Sequence, residues 1–340
     1  MNQESDKQEF SSFRDPSGFL FYRGEELYRQ VNQSYKRHYQ FAIDSGLYDF
    51  LHKKNWLISH EETDEAGLTT NSQQVIKPER IPFISYPYEW CFSQLKDAAL
   101  LTLKIQNQAL AKGMTLKDAS VYNIQFHHGK AVFIDTLSFE IYEDGSPWLA
   151  YRQFCQHFLA PLALMAMVDV RLNKLFINYI DGVPLDLASK LLPFRSRFSL
   201  LLGLHLHLHA RQLKKSQEVE SAPENSDIKI SLKSQLALLD SLYSGIKKLK
   251  WSDNNTEWHD YYASNNNYEN DSLTVKENLV ASFLEGVNAQ EIWDLGANDG
   301  RFSRIASQYA KQIISWDIDP ACVESNYRAC KKDKQKNILP

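Results

Sequence analysis

Cysteine is scarce and scattered here: four in 340 residues, Cys91, Cys155, Cys322 and Cys330, with no C-x-x-C pair. That spacing offers neither a disulfide framework nor a zinc ribbon, and it suits a reducing cytoplasm. Long apolar runs are missing as well. The longest, FLAPLALMAMV, falls short of the roughly 20 residues a membrane helix needs. The N-terminus, MNQESDKQEF, is polar and acidic rather than basic then apolar, so neither a targeting leader nor membrane insertion is expected. Nor is there an excess of positive charge. A net charge of −4 and a pI near 6.2 give no bulk field to draw nucleic acid or an anionic membrane, and KKDKQK reads as a solvated face. No internal repeat is visible.

What is present is the composition of a globular protein, long enough at 340 residues for two domains. SGFLFYRGEELYRQV alternates around a glycine and predicts a β-hairpin, followed by a helical segment from Tyr35 to Lys54. Glu61 to Gln74 reads as a loop. The extended RIPFISYPYEW leads into a long helix in which Leu95, Ala99, Leu103 and Leu110 keep near-helical spacing, with Gly113 as its stop. YNIQF and AVFID form a second hairpin around HHGK. Trp148 to Leu213 reads as mostly helical. KKSQEVESAPENSD is a linker, Leu232 to Leu249 a helix, and an Asn-rich stretch then leads into the helix SLTVKENLVASFLEG.

The most informative stretch is EIWDLGANDGRFSRIA. EIWDL is a short strand, GANDG a turn, and Phe302, Ile305, Ala306 and Tyr309 recur at i, i+3, i+4 and i+7 on one helix face. Gly296 and Gly300 let the backbone turn sharply beside a ligand, and the helix start offers unpaired N–H groups. A second strand, QIISWDID, carries Asp317 about twenty residues after the turn, where a doubly wound fold places a ribose-binding carboxylate. Asp319 competes for that role, although Asp319-Pro320 reads as a helix start.

This D-x-G-x-x-x-G pattern resembles the first motif of class I S-adenosyl-L-methionine-dependent methyltransferases. The resemblance implies that Asp294 lies near the amino-acid end of the cofactor, that Gly296 and Gly300 form the turn beneath it, and that Asp317 holds the ribose hydroxyls. Asn298 stands where that family often has a middle glycine. Trp258, Tyr261, Tyr262 and Tyr268, just upstream, would either cover the cofactor or pack between domains. The acceptor-binding half of such a domain would follow its third strand, and the chain stops at KNILP, the start of that strand. A C-terminally truncated domain is therefore expected, with its apolar strands poorly covered and no nameable catalytic residue.

TLKDASVYNIQFHHGKAVFIDTLSFE raises a second constellation. Asp118 and Asn123 form D-x-x-x-x-N and Asp135 closes the hairpin, the arrangement that resembles the protein-kinase and aminoglycoside-phosphotransferase fold. The resemblance implies ATP with Mg²⁺, Asp118 at the acceptor hydroxyl, and Asn123 and Asp135 on the metal. The departures are large: Leu116 replaces a histidine, Thr136-Leu137 replaces Phe-Gly, and neither a glycine-rich loop nor a V-A-I-K lysine is found, with Arg29 as a speculative substitute. Asp118 and Asn123 could equally bond a loop, with Asp135 capping a turn. In HLHLHA, only His205 and His209 share a helix face, and no carboxylate completes a zinc site, so these are read as packed residues and His127 and His128 as solvated ones.

Taken whole, EWCFSQLKDAALLTL, LKDASVYNIQF, FIDTLSFE, DGVPLDLASKLLP and WDLGANDGRFSRIA resemble blocks of a bacterial methyltransferase family, some of whose members are called nodulation proteins. The fold implied is an α+β kinase-like domain followed by an incomplete α/β Rossmann-like domain, with boundaries 1–14 (disordered tail), 15–250 and 251–340. Three functions follow: a methyltransferase with an unknown acceptor, inactive in this truncated form, a kinase-like or pseudokinase nucleotide-binding module with a vestigial methyltransferase segment, and an interaction protein. Oligomeric state is not readable.

Overall fold

The computed structural model describes residues 6–12, 15–211, 229–252 and 270–340. Its first sheet is antiparallel, in the order β1 (Lys7–Gln8), β2 (Gly18–Arg23), β3 (Glu26–Asn32), β5 (Ser72–Pro78), β4 (His60–Thr63). Gly24 turns the β2–β3 hairpin at a φ of +60°, a conformation glycine reaches without Cβ strain. Two differences from the sequence reading appear. Lys7 and Gln8, assigned to the N-terminal tail, pair with Tyr22 and Phe21. Glu61 to Gln74, read as a loop, contains β4 and the start of β5. Its HEET run lies at a sheet edge with both glutamates exposed, so no apolar alternation marks it.

Between β3 and β4 the expected single helix is two, α1 (Lys36–Asp44) and α2 (Leu47–Lys53), broken at Gly46 with φ +69°. The chain then crosses an extended segment into α3 (Phe92–Ala111), the central helix. Its start is fixed by Gln94, whose Oε1 accepts the Cys91 backbone N–H at 2.9 Å. Gly113, at φ +73°, ends it. Leu95, Leu103, Ile105 and Leu110 are all buried, each worth roughly 1.5–3 kcal/mol of apolar transfer.

Beyond α3, β6 (Met114–Leu116) pairs with β9 (Phe139–Ile141), and β7 (Ile124–His127) pairs with β8 (Lys130–Phe133). The expected long helical region is a string of short pieces. These are α4 (Tyr151–Phe154), a π-helical turn (Cys155–Leu159), α5 (Ala160–Met167), α6 (Leu185–Leu191), α7 (Leu200–Leu202) and a second π-helical turn (Gly203–Leu208). Pro184, Pro193 and Gly182 punctuate it, as helix-breaking residues should. Helix α8 (Leu232–Lys248) packs on α3.

The last region holds α9 (Asn270–Leu284), β10 (Glu291–Leu295), α10 (Arg301–Ala306), β11 (Gln312–Trp316), α11 (Pro320–Lys332) and β12 (Ile338–Leu339). Its three strands are parallel, in the order β10-β11-β12. Strand alternation divides the burial: Ile313 and Ile338 join Ala306 and Cys330 in a small core, while Ile314 and Leu339, one residue along, enter the main core. The strands expected to lack cover are thus partly covered by α3 and its preceding segment. Glu324 of α11, fully buried, accepts the Ser93 backbone N–H at 2.9 Å and also the Ser93 hydroxyl. Asp97 accepts from Tyr327 Oη at 2.7 Å and pairs with Lys331. Leu295, at the open β10 edge, stays 72% exposed. The structure is therefore a mixed α+β protein, and among the described residues no helix is long and apolar enough to cross a membrane.

Candidate functional site

Two polar centres correspond to the two sequence constellations. At the first, β10 ends in Asp294 and the chain turns through Gly296 (φ +77°), Asn298 (φ +51°) and Gly300 (φ +79°) into α10. Left-handed backbone is the province of glycine and, next, of asparagine, which explains why Asn298 can stand in a glycine-like position. A Cβ on Gly296 would meet nothing within 4 Å, whereas one on Gly300 would lie 2.1 Å from Asn326 Oδ1. Gly296 therefore faces open space, and Gly300 is required by helix packing.

Asp317 follows β11 directly. Its Oδ2 accepts the Asn298 backbone N–H at 2.7 Å and its Oδ1 accepts the Asp319 N–H at 2.8 Å. The carboxylate ties the second strand to the glycine turn. Asp294 accepts from Ser303 Oγ at 2.6 Å, and Ser303 in turn accepts from Ser315 Oγ. Asp294 is thus anchored to α10, away from the Asn298–Asp317 contact. Asp319, the competitor for Asp317's role, caps α11 by accepting the Ala321 N–H at 2.8 Å.

Asp317 also borders a narrow cleft of about 40 Å³ between the parallel sheet and the segment before α3, walled by Phe83, Glu89, Trp90, Trp316, Leu339 and Pro340. Phe83 stands edge-on to Trp293 and Trp316, at centroid distances of 6.1 and 6.2 Å. Two carboxylate residues, Glu89 and Asp317, share its mostly aromatic and aliphatic lining, and at this volume it is a crevice with room for water rather than a formed ligand pocket. Its wall from Phe83 to Trp90 was not legible as such, because nothing in the sequence shows a segment some 230 residues away folding against β11. Trp258, Tyr261, Tyr262 and Tyr268, the proposed cover, lie outside the described residues.

At the second centre, Asp118, Asn123 and Asp135 are brought together. Asp118 Oδ1 accepts the Ser120 N–H and Gln153 Nε2, both at 2.8 Å; burial pushes its carboxyl up from the ordinary value. Asn123 Nδ2 donates to Ser138 Oγ at 3.3 Å, and Ser138 donates to Asp135. Arg29 of β3 reaches across to Asp135 at 2.5 Å, with the two side chains only 10% and 15% exposed. Burial alone would raise the Asp135 carboxyl, but the Arg29 charge, the Ser138 hydroxyl and the Leu137 N–H together hold it below the ordinary value. All three residues already have partners within the protein.

The histidines read as packed in HLHLHA are packed. His205 contacts Tyr151 Oη at 2.8 Å and Ser241 Oγ at 3.0 Å, and His207 lies between Ser189 and Ser196 at 2.8 Å from each. His127, expected to be solvated, instead has a side chain only 13% exposed and lies 2.9 Å from Glu79. Glu79 is 48 residues away in sequence, so spacing gave no sign of the pair.

No family model matches the chain. Among curated proteins it is similar to nodulation protein NoeA of Rhizobium meliloti (strain 1021), with 33% identity over 342 residues, covering 97% of this chain and 70% of that protein. Among solved structures it is similar to vaccinia related kinase 3, at 9% identity and a TM-score of 0.36, covering 72% of this chain and 87% of that one. So low a score carries no argument about fold. The curated relative corrects the assignment to a C-terminally truncated methyltransferase family: it is named for nodulation, and it gives no support for truncation. At that identity and coverage, the chain belongs to the family of nodulation protein NoeA.

Proposed function

We propose that this protein binds an adenosine cofactor, S-adenosyl-L-methionine, at the Gly296–Gly300 turn and Asp317, and that it transfers the cofactor's methyl group to an acceptor not yet known. The observation that carries the reading is the Asp317 carboxylate, joined to the glycine turn at the carboxyl ends of the parallel strands β10 and β11. Ligands of open parallel sheets bind outside the carboxyl ends of the strands. A carboxylate has about four acceptor positions, so the two N–H bonds at Asp317 leave room for two ribose hydroxyls. Gly296, with open space where a Cβ would be, lets the cofactor's amino-acid end approach the backbone. When bound, the cofactor supplies the electrophilic methyl group, and the protein's part is to hold donor and acceptor in line. Four free, buried cysteines suit a reducing, cytoplasmic setting.

Calorimetric titration with S-adenosyl-L-methionine tests this. Asp317→Ala should weaken binding by about 1–3 kcal/mol, the value of hydrogen bonds to a charged group. Equal affinity in wild type and variant would remove Asp317 from the site, and no heat at millimolar cofactor with the wild type would sink the reading.

A second reading, a nucleotide-binding kinase-like module, is favoured by the convergence of Asp118, Asn123 and Asp135 with Arg29 on the adjacent strand. Here Mg²⁺ would have to compete with Arg29 for Asp135. Mg²⁺-dependent ATP binding that Asp135→Asn abolishes would support it, and no binding at millimolar ATP would leave the cluster a structural role.

A further inference from the structure

Away from both centres, Glu79, His127 and His128 present one ligand atom each within 4.8 Å of one another. We propose that these three residues bind a divalent transition-metal ion of the Zn²⁺ class, tying the end of β5 to the β7–β8 turn. Two imidazoles and a carboxylate are a donor set that zinc favours over magnesium or calcium.

The distances fit. Around an ion held at about 2.0–2.1 Å, tetrahedral donors lie roughly 3.3–3.4 Å apart. Glu79 Oε1 is 2.9 Å from His127 Nε2 and 3.8 Å from His128 Nε2, values that bracket the requirement. All three ligand atoms lie within 4.8 Å of one another, and the remaining adjustment falls on His128, whose side chain is 67% exposed. With three protein ligands, the fourth position is left for water.

The carboxylate is also oriented. Ser59 Oγ donates to Glu79 Oε2 at 2.5 Å, and the Glu79 N–H donates to Ser59 O at 2.8 Å, which turns Oε1 toward the imidazoles. An outer partner of this kind is a regular feature of metal sites.

The turn bears out a special demand on this position. His128 and Gly129 both have positive φ, +49° and +71°, as a tight hairpin turn requires, and asparagine would be the easier first residue. A histidine there accepts backbone strain while its ring lies 3.9 Å, centroid to centroid, from that of His127. The same turn supports the last region of the chain: a Cβ on Gly129 would lie 2.3 Å from Gln335 O. A bound ion would therefore stiffen the junction of the first sheet, the hairpin and the β12 approach.

The test is calorimetric titration of the chelator-stripped 340-residue chain with ZnCl₂, alongside thermal unfolding. His128→Asn is the informative variant, because asparagine keeps the turn. Expected are one zinc per wild-type chain, a raised thermal midpoint with zinc, and affinity at least tenfold weaker in His128→Asn and in Glu79→Gln, with the metal-free midpoint of His128→Asn unchanged. Absence of zinc binding in the wild type, or wild-type affinity in both variants, would overturn the proposal.

Discussion

Replacing Arg29 by methionine isolates the most consequential buried charge pair. The guanidinium meets Asp135 at 2.5 Å, and neither side chain is more than 15% exposed, so the loss is not softened by solvent. Removing one member of a buried pair strands the other, which typically costs about 3–5 kcal/mol. Asp135 would keep the Ser138 hydroxyl and the Leu137 N–H at 3.1 Å, so the lower end, about 3 kcal/mol, is expected. Urea unfolding followed by tryptophan fluorescence measures this as a fall in midpoint at constant slope. In the double variant with Asp135→Asn, which no longer buries a lone carboxylate, much of the loss should return. The gap should also depend on pH. With Arg29 present the folded Asp135 carboxyl lies below its ordinary value, so its contribution is complete above about pH 3.9 and is lost as pH falls through the folded value. Without Arg29, burial raises the folded carboxyl, and protonation on acidification relieves the variant. Wild type and variant should therefore converge as pH is lowered. A cost under about 1 kcal/mol that does not change with pH would refute the reasoning, since an unpaired buried carboxylate cannot be that cheap.

Gly300→Ala should destabilise by about 1–3 kcal/mol, because the new Cβ collides with Asn326 at a φ of +79°, whereas Gly296→Ala meets no such collision; urea midpoints of the two variants compare them. Burial lowers His157 and His205 to about 4, so between pH 6.5 and about 4 only the unfolded chain takes up their protons and stability falls as pH falls. A thermal midpoint that declines over that range, and declines less in His157→Gln, is expected; a flat profile from pH 6.5 to 4.5 would count against it.

How much of this was readable in advance differs by element. EIWDL, the glycine turn and QIISW are local signals, where period, glycine and strand-ending acid coincide within some 25 residues, and the structure forms β10 and β11 there. The break at Gly46 and the strand in HEET were missed: one glycine in an amphipathic run is an ambiguous stop, and a polar edge strand carries no alternation. Asp118, Asn123 and Asp135 could be grouped from their spacing, but their saturation by Gln153, Ser138 and Arg29 could not.

The sequence by itself determined where the backbone must turn and which faces must be buried, because positive-φ glycines, prolines and apolar periodicity act within a few residues. Only the tertiary structure decided which charges meet. Arg29 is set against Asp135, Glu324 against Ser93, and Glu79 against His127, by sheet register and helix docking over 48 to 231 residues of intervening chain. Contacts at that range depend on how whole elements pack, and no local pattern encodes them.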